Sequence, residues 1–455
     1  MLLSKEQMMK TKLLFIIGLF AILTSCKKTF LESESAQNIP DNAAIVDSAS
    51  ALTATLGVYD GLQDGNYYGG DGLAAAAFLS GGDGLWVGTL NYYNDFTTHT
   101  YRADNTLIYK IWYTIYKVVN RANHVIAKVP ALDSKLISDS KKNLYTGEAY
   151  FIRALAFFDL GRTWANVPLV LTPTSSPDDV KGIKQSSQAA VYAQVEKDLL
   201  KTDSLLPNTV SRNRITKNTV YAFLARLYLY TKQYDLAETY ATKIITNSNY
   251  SLVDWTTFVN NKATNESIFE LQYTTADQSS HYGSWSSVNY RNQFCPNSAL
   301  YALIQDPAVG GDRKILIKDI STASIANYYV QLLYWRTNGD NPTYIFRLGE
   351  QYLIRAEARL RKSSPDLTGA VADINAIRNR AHVTEVTLSS KEDLIADVLA
   401  ERRVELALEP QRWFDLVRTG TASAKIGLTD TTKNIYPIPY NDLAADPDLV
   451  QNPLY

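Results

Sequence analysis

The chain has 455 residues, 46% of them hydrophobic, and carries 45 Lys and Arg against 46 Asp and Glu, for a net charge of −1. That much apolar material supports a large packed core and excludes a disordered chain, and so even a charge balance excludes nucleic acid or an acidic membrane surface as the principle of recognition. Tyrosine outnumbers phenylalanine 30 to 14, and a side chain with an apolar face and a wet hydroxyl suits a polar ligand that also has apolar faces.

From the N-terminus, Lys10 and Lys12 precede an apolar run over residues 13–23. That run is the length of a signal-peptide core and too short to span a bilayer as a helix. It ends in Leu23-Thr24-Ser25-Cys26, an arrangement that resembles a bacterial lipoprotein box. The reading is a signal peptide at 1–25, a lipidated tether at 26–40 starting from Cys26, and a single folded body at 41–455. Several acyl chains would hold such an anchor far better than one. The other cysteine, Cys295, has no partner for an intramolecular disulfide and reads as a small buried hydrophobe.

Helical periodicity dominates the body. Ile111, Ile115, Val118, Val119, Ala122 and Ile126 recur at three- and four-residue steps, and Ala149, Ile152, Ala156 and Leu160 form a matching stripe, which predicts a helix pair. Leu224-Ala225, Tyr228, Tyr234, Ala237 and Ala241 follow a tetratricopeptide spacing, and Ala356, Ala370 and Ile374 mark a second copy. A further helix is expected from Asp393 to Glu409. The fold class is therefore mainly α: a tetratricopeptide-like helical-repeat scaffold, with long loop-rich inserts at about 60–105 and 250–345 forming a ligand face. The tail from Tyr436, with its four prolines, is expected to lie extended, without helix.

The four histidines show no paired ligand spacing, and neither a nucleophile elbow nor a phosphate-cradling loop is present, so no metal, cofactor or catalytic residue is assigned. The two GGDG segments, at 69–72 and 81–84, are too few for a calcium-binding glycine repeat. Glu350 and Glu357 share a helix face, but with Arg355 and Arg359 beside them they read as ion pairs rather than as the carboxylate pair of a glycoside hydrolase. The positive signal is aromatic. Sugar C–H faces stack on rings while hydroxyls seek amides, carboxylates and guanidinium groups. The first insert offers Trp86, Asn91, Tyr92 and Tyr93, and the second offers Tyr282, Trp285, Tyr290, Arg291 and Asn292. Trp86 and Trp285, flanked by Gly and Ser, are expected to be exposed.

The segment ERRVELALEPQRWFDLVRTG at 401–420 and the closing YPIPYNDLAADPDLVQNPLY at 436–455 resemble the C-terminal signature of the SusD/RagB family of Bacteroidota outer-membrane lipoproteins. RALAFFDLGRTWANVPLV at 153–170, GGDRK at 310–314 and YIFRLGEQYLIRAEARL at 344–360 extend the likeness over nearly the whole chain. The resemblance implies a non-catalytic, outward-facing lipoprotein anchored at Cys26, which caps a SusC-like TonB-dependent barrel and hands it oligosaccharide or, in some members, peptide. The residues after Cys26 are Lys27, Lys28 and Thr29, with acids only at Glu32 and Glu34, so surface exposure follows from the family and not from a local acidic signal.

Overall fold

The computed structural model describes residues 44–286, 292–453 and 455. Residues 47–455 form one compact unit; of the unit at 1–46 only 44–46 are described, so the signal segment, Cys26 and the tether lie outside the described residues. The first elements are α1 (Ser48–Gln63), α2 (Leu73–Ser80), the short strand β1 (Gly84–Trp86) and α3 (Asn91–Thr98). The expected irregular insert at 60–105 is thus corrected to two helices and a strand. Leu73, Ala74, Ala75, Ala76, Ala77, Phe78 and Leu79 are all buried, because a helix apolar all round can only be an interior one.

The long pair follows as α4 (Thr106–Lys128) and α5 (Asp139–Trp164), which pack against each other. Asn105 starts α4 by accepting from the backbone N–H groups of Leu107 and Ile108, and Ser138 starts α5 by accepting from that of Lys141. The predicted stripe is buried except for Ile126, whose place is taken by Val125. After α5 come β2 (Val167–Pro168), β3 (Gln185–Ser186) and α6 (Gln188–Leu205), the last packed on α5.

The repeat pairs are α7 (Lys217–Tyr230) with α8 (Tyr234–Ile245), and, further on, the helices at 348–361 and 367–380. Between them run α9 (Trp255–Asn260), β4 (Ser267–Leu271), α10 (His281–Ser284), β5 (Phe294–Pro296), α11 (Ser298–Gln305), β6 (Ile317–Asp319), β7 (Tyr329–Gln331) and β8 (Thr343–Arg347). The chain then enters α12 (Leu348–Arg361), α13 (Leu367–Arg380), α14 (Lys391–Glu405), α15 (Arg412–Thr419), α16 (Ala422–Ile426) and α17 (Tyr440–Ala445). Ala225, Ala237, Ala241, Ala356 and Ala370 are fully buried, and α8 packs directly on α12, so the small residues sit where the two pairs close up. Leu353, Leu360, Ile374, Ile377, Leu394 and Val398 complete the core between α12, α13 and α14.

Strand pairs act as clips between distant segments. The antiparallel pair β1–β5 joins Leu85 to Cys295 and Trp86 to Phe294, which ties the two inserts together. The tail crosses the body as expected: Trp164 donates from Nε1 to the Pro437 carbonyl at 2.9 Å, and Asn452 Nδ2 donates to the carbonyls of Trp164 and Tyr436. The absence of helix there is corrected, because α17 starts directly after Pro439, whose ring sets a backbone angle compatible with entering a helix.

Charged residues from three separate motifs meet in the interior. Arg347 reaches Glu266 at 2.9 Å, Glu409 at 2.8 Å and Glu405 at 2.5 Å, while Arg313 pairs with Glu401 and Glu405 and Arg380 with Glu266 and Glu405. Glu350 and Glu357 form ion pairs as expected, though not with Arg355 and Arg359. Glu350 holds Arg226 at 2.6 Å and Glu357 holds Arg361 and Arg418, whereas Arg355 and Arg359 turn to Asp373 and Glu238. Among the described residues no three His, Cys, Asp or Glu side chains come together as metal ligands, and no helix is long and apolar enough to cross a membrane. Asp83, in the second GGDG segment, is pinned by Arg403 and Arg412.

Candidate ligand face

The β1–β5 clip gathers a continuous aromatic cluster that runs from the interior to the surface. Inside, Trp285 lies 5.0 Å from Phe78 and 5.1 Å from Phe294 between ring centroids. Outward, Phe294 meets Trp86 at 4.8 Å and Tyr93 at 5.0 Å, Trp86 meets Tyr93 at 4.4 Å, and Tyr93 meets Tyr92 at 4.7 Å. Such tilted pairs add to burial the attraction of ring edge for ring face.

The expected exposure of Trp285 is corrected: its relative accessibility is 0% and its Nε1 donates to the Gly70 carbonyl at 3.1 Å. Gly70 has φ +130°, and a Cβ there would stand 2.9 Å from the backbone nitrogen of His281, so glycine is what lets this strand pass so close. Gly283 and Ser284 beside Trp285 are only half-buried and Gly283 has open space around it, so the ring is enclosed by Gly70, Phe78 and Phe294 from other segments and not by its sequence neighbours. Tyr93 is buried too, its hydroxyl donating to the Asp71 carbonyl at 3.0 Å. Asn292 is buried with φ +35° and donates from Nδ2 to the Tyr329 carbonyl. Tyr93, Trp285 and Asn292 support the face from beneath and present no ring or amide to solvent. Tyr290 and Arg291 lie outside the described residues.

Trp86, Asn91, Tyr92 and Tyr282 reach the surface. Trp86 is half-buried; Gly88 closes over its ring so tightly that a Cβ would stand 2.2 Å from it, and its Nε1 is shut off from solvent with no acceptor. Tyr92 is half-buried with the Lys110 ammonium 5.7 Å from its ring, and Asn91 is exposed at the first turn of α3. Leu85, Val87 and Leu90 stand exposed around them at 39%, 50% and 46%. Cys295 is buried as expected; its thiol points at the Asn292 carbonyl, and burial pushes its pKa up to about 12.

Sequence reasoning missed a second aromatic row. On α4, Tyr109, Tyr113 and Tyr116 follow one another at four and three residues on the side away from the buried stripe, with Tyr109 and Tyr113 stacked at 6.0 Å. The visible signal was that spacing, hidden because the same helix carries the stronger apolar stripe. Tyr113 is 57% exposed, and with Trp112 and Tyr116 it lines a cavity of about 700 Å³ closed by the segment after β2 and by the tail.

A helical scaffold whose two inserts are clipped together beneath an aromatic cluster defines a protein of tetratricopeptide-like architecture. The family model described as "Starch-binding associating with outer membrane" matches residues 29–229, and the SusD family model matches residues 322–434. The chain belongs to the SusD/RagB family, a family of non-catalytic carbohydrate-binding proteins associated with the outer membrane. It is similar to a SusD-like protein of Formosa agariphila, 25% identical over 97% of this chain and 98% of the relative. The starch-binding protein SusD of Bacteroides thetaiotaomicron is 33% identical, over 34% of this chain and 30% of its own. A laminarin-binding SusD-like protein of known structure superposes with a TM-score of 0.77 at 23% identity, over 90% of this chain and all of the other, and so shares the fold.

Proposed function

We propose that this protein captures a neutral oligosaccharide at the rim formed by Trp86, Asn91 and Tyr92 and passes it to a SusC-like TonB-dependent barrel. The observation that carries the reading is the aromatic cluster: a rigid interior of Trp285, Phe294 and Tyr93 holds Tyr92 and the edge of Trp86 at the surface. Rigid rings lose little entropy on binding, and a neighbouring amide and ammonium offer hydrogen bonds to hydroxyls. Starch and laminarin are the ligands in the names of two relatives, and both are neutral glucans. The exposed Leu85, Val87 and Leu90 suit contact with a second protein or with sugar C–H faces. Cys26 would anchor the chain in the outer membrane, with the body outside.

Calorimetric titration of the full chain with malto- and laminari-oligosaccharides tests the reading. Saturable binding that Tyr92→Ala weakens, with unchanged thermal stability, is the expected result. Binding of peptides with none of the sugars would overturn it in favour of peptide capture.

A further inference from the structure

The cavity beside α4 is built, not left over. One wall is α4 itself, with Trp112, Tyr113, Tyr116, Lys117 and Asn120. The opposite wall, residues 168–183, is pinned to that helix at several points: Tyr116 donates to the Pro168 carbonyl at 2.9 Å, Asn123 Nδ2 donates to the carbonyls of Val170 and Thr172, and Asn120 exchanges hydrogen bonds with the Thr174 backbone at 2.8 and 2.9 Å. The tail closes the third side. Trp112 Nε1 donates to Asp442 Oδ1 at 3.2 Å, and Val450 N donates to Gln185 Oε1 at 2.8 Å. A solvent-open cleft of about 700 Å³ whose three walls are tied by hydrogen bonds falls within the roughly 300–1,000 Å³ of small-molecule sites.

The lining chemistry is specific. Tyr113 offers an exposed ring, steadied by Tyr109 stacked on it. The carboxylates of Asp178, Asp442, Asp446 and Asp448 line the space, and Asp442 keeps Oδ2 without any donor. Lys117 and Lys181 stand among them. Acceptors and donors interleaved around an aromatic wall match a neutral polyol, whose every hydroxyl both gives and takes a hydrogen bond. Four carboxylates against two ammonium groups disfavour an anionic ligand. The cavity also shares α4 with the rim: Asn105 at the start of that helix donates to the Tyr92 carbonyl, Lys110 lies over the Tyr92 ring, and Tyr116 follows six residues later, about 9 Å along the axis.

We propose that this cavity is a second saccharide subsite, in which a neutral oligosaccharide stacks on Tyr113 and hydrogen-bonds to the tail carboxylates, so that one long chain occupies rim and cavity together. This rests on the sugar-binding reading of the rim. Two weak contacts on one ligand reinforce each other because the second acts at high effective concentration. Affinity then rises with chain length further than the rim alone permits.

The test uses the full chain in detergent, titrated with malto- and laminari-oligosaccharides of increasing length, as wild type, Tyr113→Ala, Tyr113→Ala with Asp448→Asn (the double variant), Tyr92→Ala, and Tyr92→Ala with Tyr113→Ala. Tyr113 is exposed and the aspartate change keeps shape, so folding, checked by thermal melting, should not suffer. The expected result is a loss of about tenfold or more for the longest oligosaccharides in the double variant with short ones unchanged, and residual binding in Tyr92→Ala that disappears when Tyr113→Ala is added. Equal affinities of wild type and double variant at every length would overturn the subsite while leaving the rim intact. Unchanged sugar affinity with lost capture of the barrel would likewise overturn it and give the face to a protein partner. If wild type binds no sugar at all, the sugar-binding reading fails first and takes the subsite with it.

Discussion

The charge cluster around Arg347 and the aromatic rim around Trp86 are built on opposite logic. In the cluster, Arg313, Arg347, Glu401, Glu405 and Glu409 come from segments that carry the family signature, and nearly every charge is buried and paired. At the rim, none of Trp86, Asn91 and Tyr92 falls in a signature segment, and Trp86 keeps a buried N–H without an acceptor. The motifs that meet at Arg347 therefore hold the scaffold, and the rim residues assigned to the ligand lie outside them. The two tryptophans repeat the contrast. Trp285 is fully enclosed and hydrogen-bonded, while Trp86 is half-open and unsatisfied, a cost of roughly 1–3 kcal/mol for an unmet buried donor.

The comparison is broken most directly at Arg347. Arg347→Met leaves Glu409 without a cation in the interior, while Glu266 keeps Arg380 and Glu405 keeps Arg313 and Arg380; removing one partner of a buried ion pair costs about 3–5 kcal/mol, so denaturant unfolding should show a loss of that order. Full retention of stability would show that the motif charges are dispensable to the fold. Trp285→Ala should cost a similar or slightly smaller amount, about 3–4 kcal/mol, through the cavity it leaves. Sugar affinity per folded molecule should change little, and a selective loss of affinity in a well-folded variant would place Trp285 back at the ligand. Tyr92→Ala should do the reverse, with little change in unfolding but a loss of about tenfold in sugar affinity, near 1.4 kcal/mol.

Two smaller effects probe the ground beneath the rim. His281 is fully buried and stacked on Tyr334 at 3.8 Å, with neither ring nitrogen partnered, and burial lowers its pKa from 6.5 to about 3. The unfolded chain takes up a proton below 6.5 that the folded chain refuses until about 3, so stability falls as pH drops through that window. His281→Phe should flatten the fall between 6.5 and the carboxylate range, as measured by thermal melting against pH. Glu405, flanked by Arg380, Arg347 and Arg313, is held below the usual carboxylate range; its contribution is present above its unfolded pKa and is lost in stronger acid, which separates it from His281. Smallest of all, Cys295 in a Cys26→Ser chain should resist thiol reagents at pH 8 until the protein unfolds, because its thiol stays protonated and enclosed.

Much of this was written locally. The helix pair at 106–164 and the small alanines of the two repeats followed from periodicity and residue size, which short-range geometry enforces wherever a helix must bury one face, and the burial of Cys295 followed from its being a lone free cysteine. What periodicity does not carry is which non-repeating residues meet. Gly and Ser around Trp285 predicted exposure, and Gly283 does have open space around it, but the ring beside it is enclosed by Gly70, Phe78 and Phe294, which only the pairing of β1 with β5 and the approach of Gly70 reveal. Arg226, the partner of Glu350, and Arg418, one of the two partners of Glu357, came from other helices for the same reason. Tyr109, Tyr113 and Tyr116 stood in plain view on α4, yet they became one wall of a cavity only when residues 168–183 and the tail, far apart in sequence, closed over them. The chain by itself determined a helical body with a family signature; where its aromatic rings point was decided by contacts between segments hundreds of residues apart, since a ring's exposure belongs to everything packed around it.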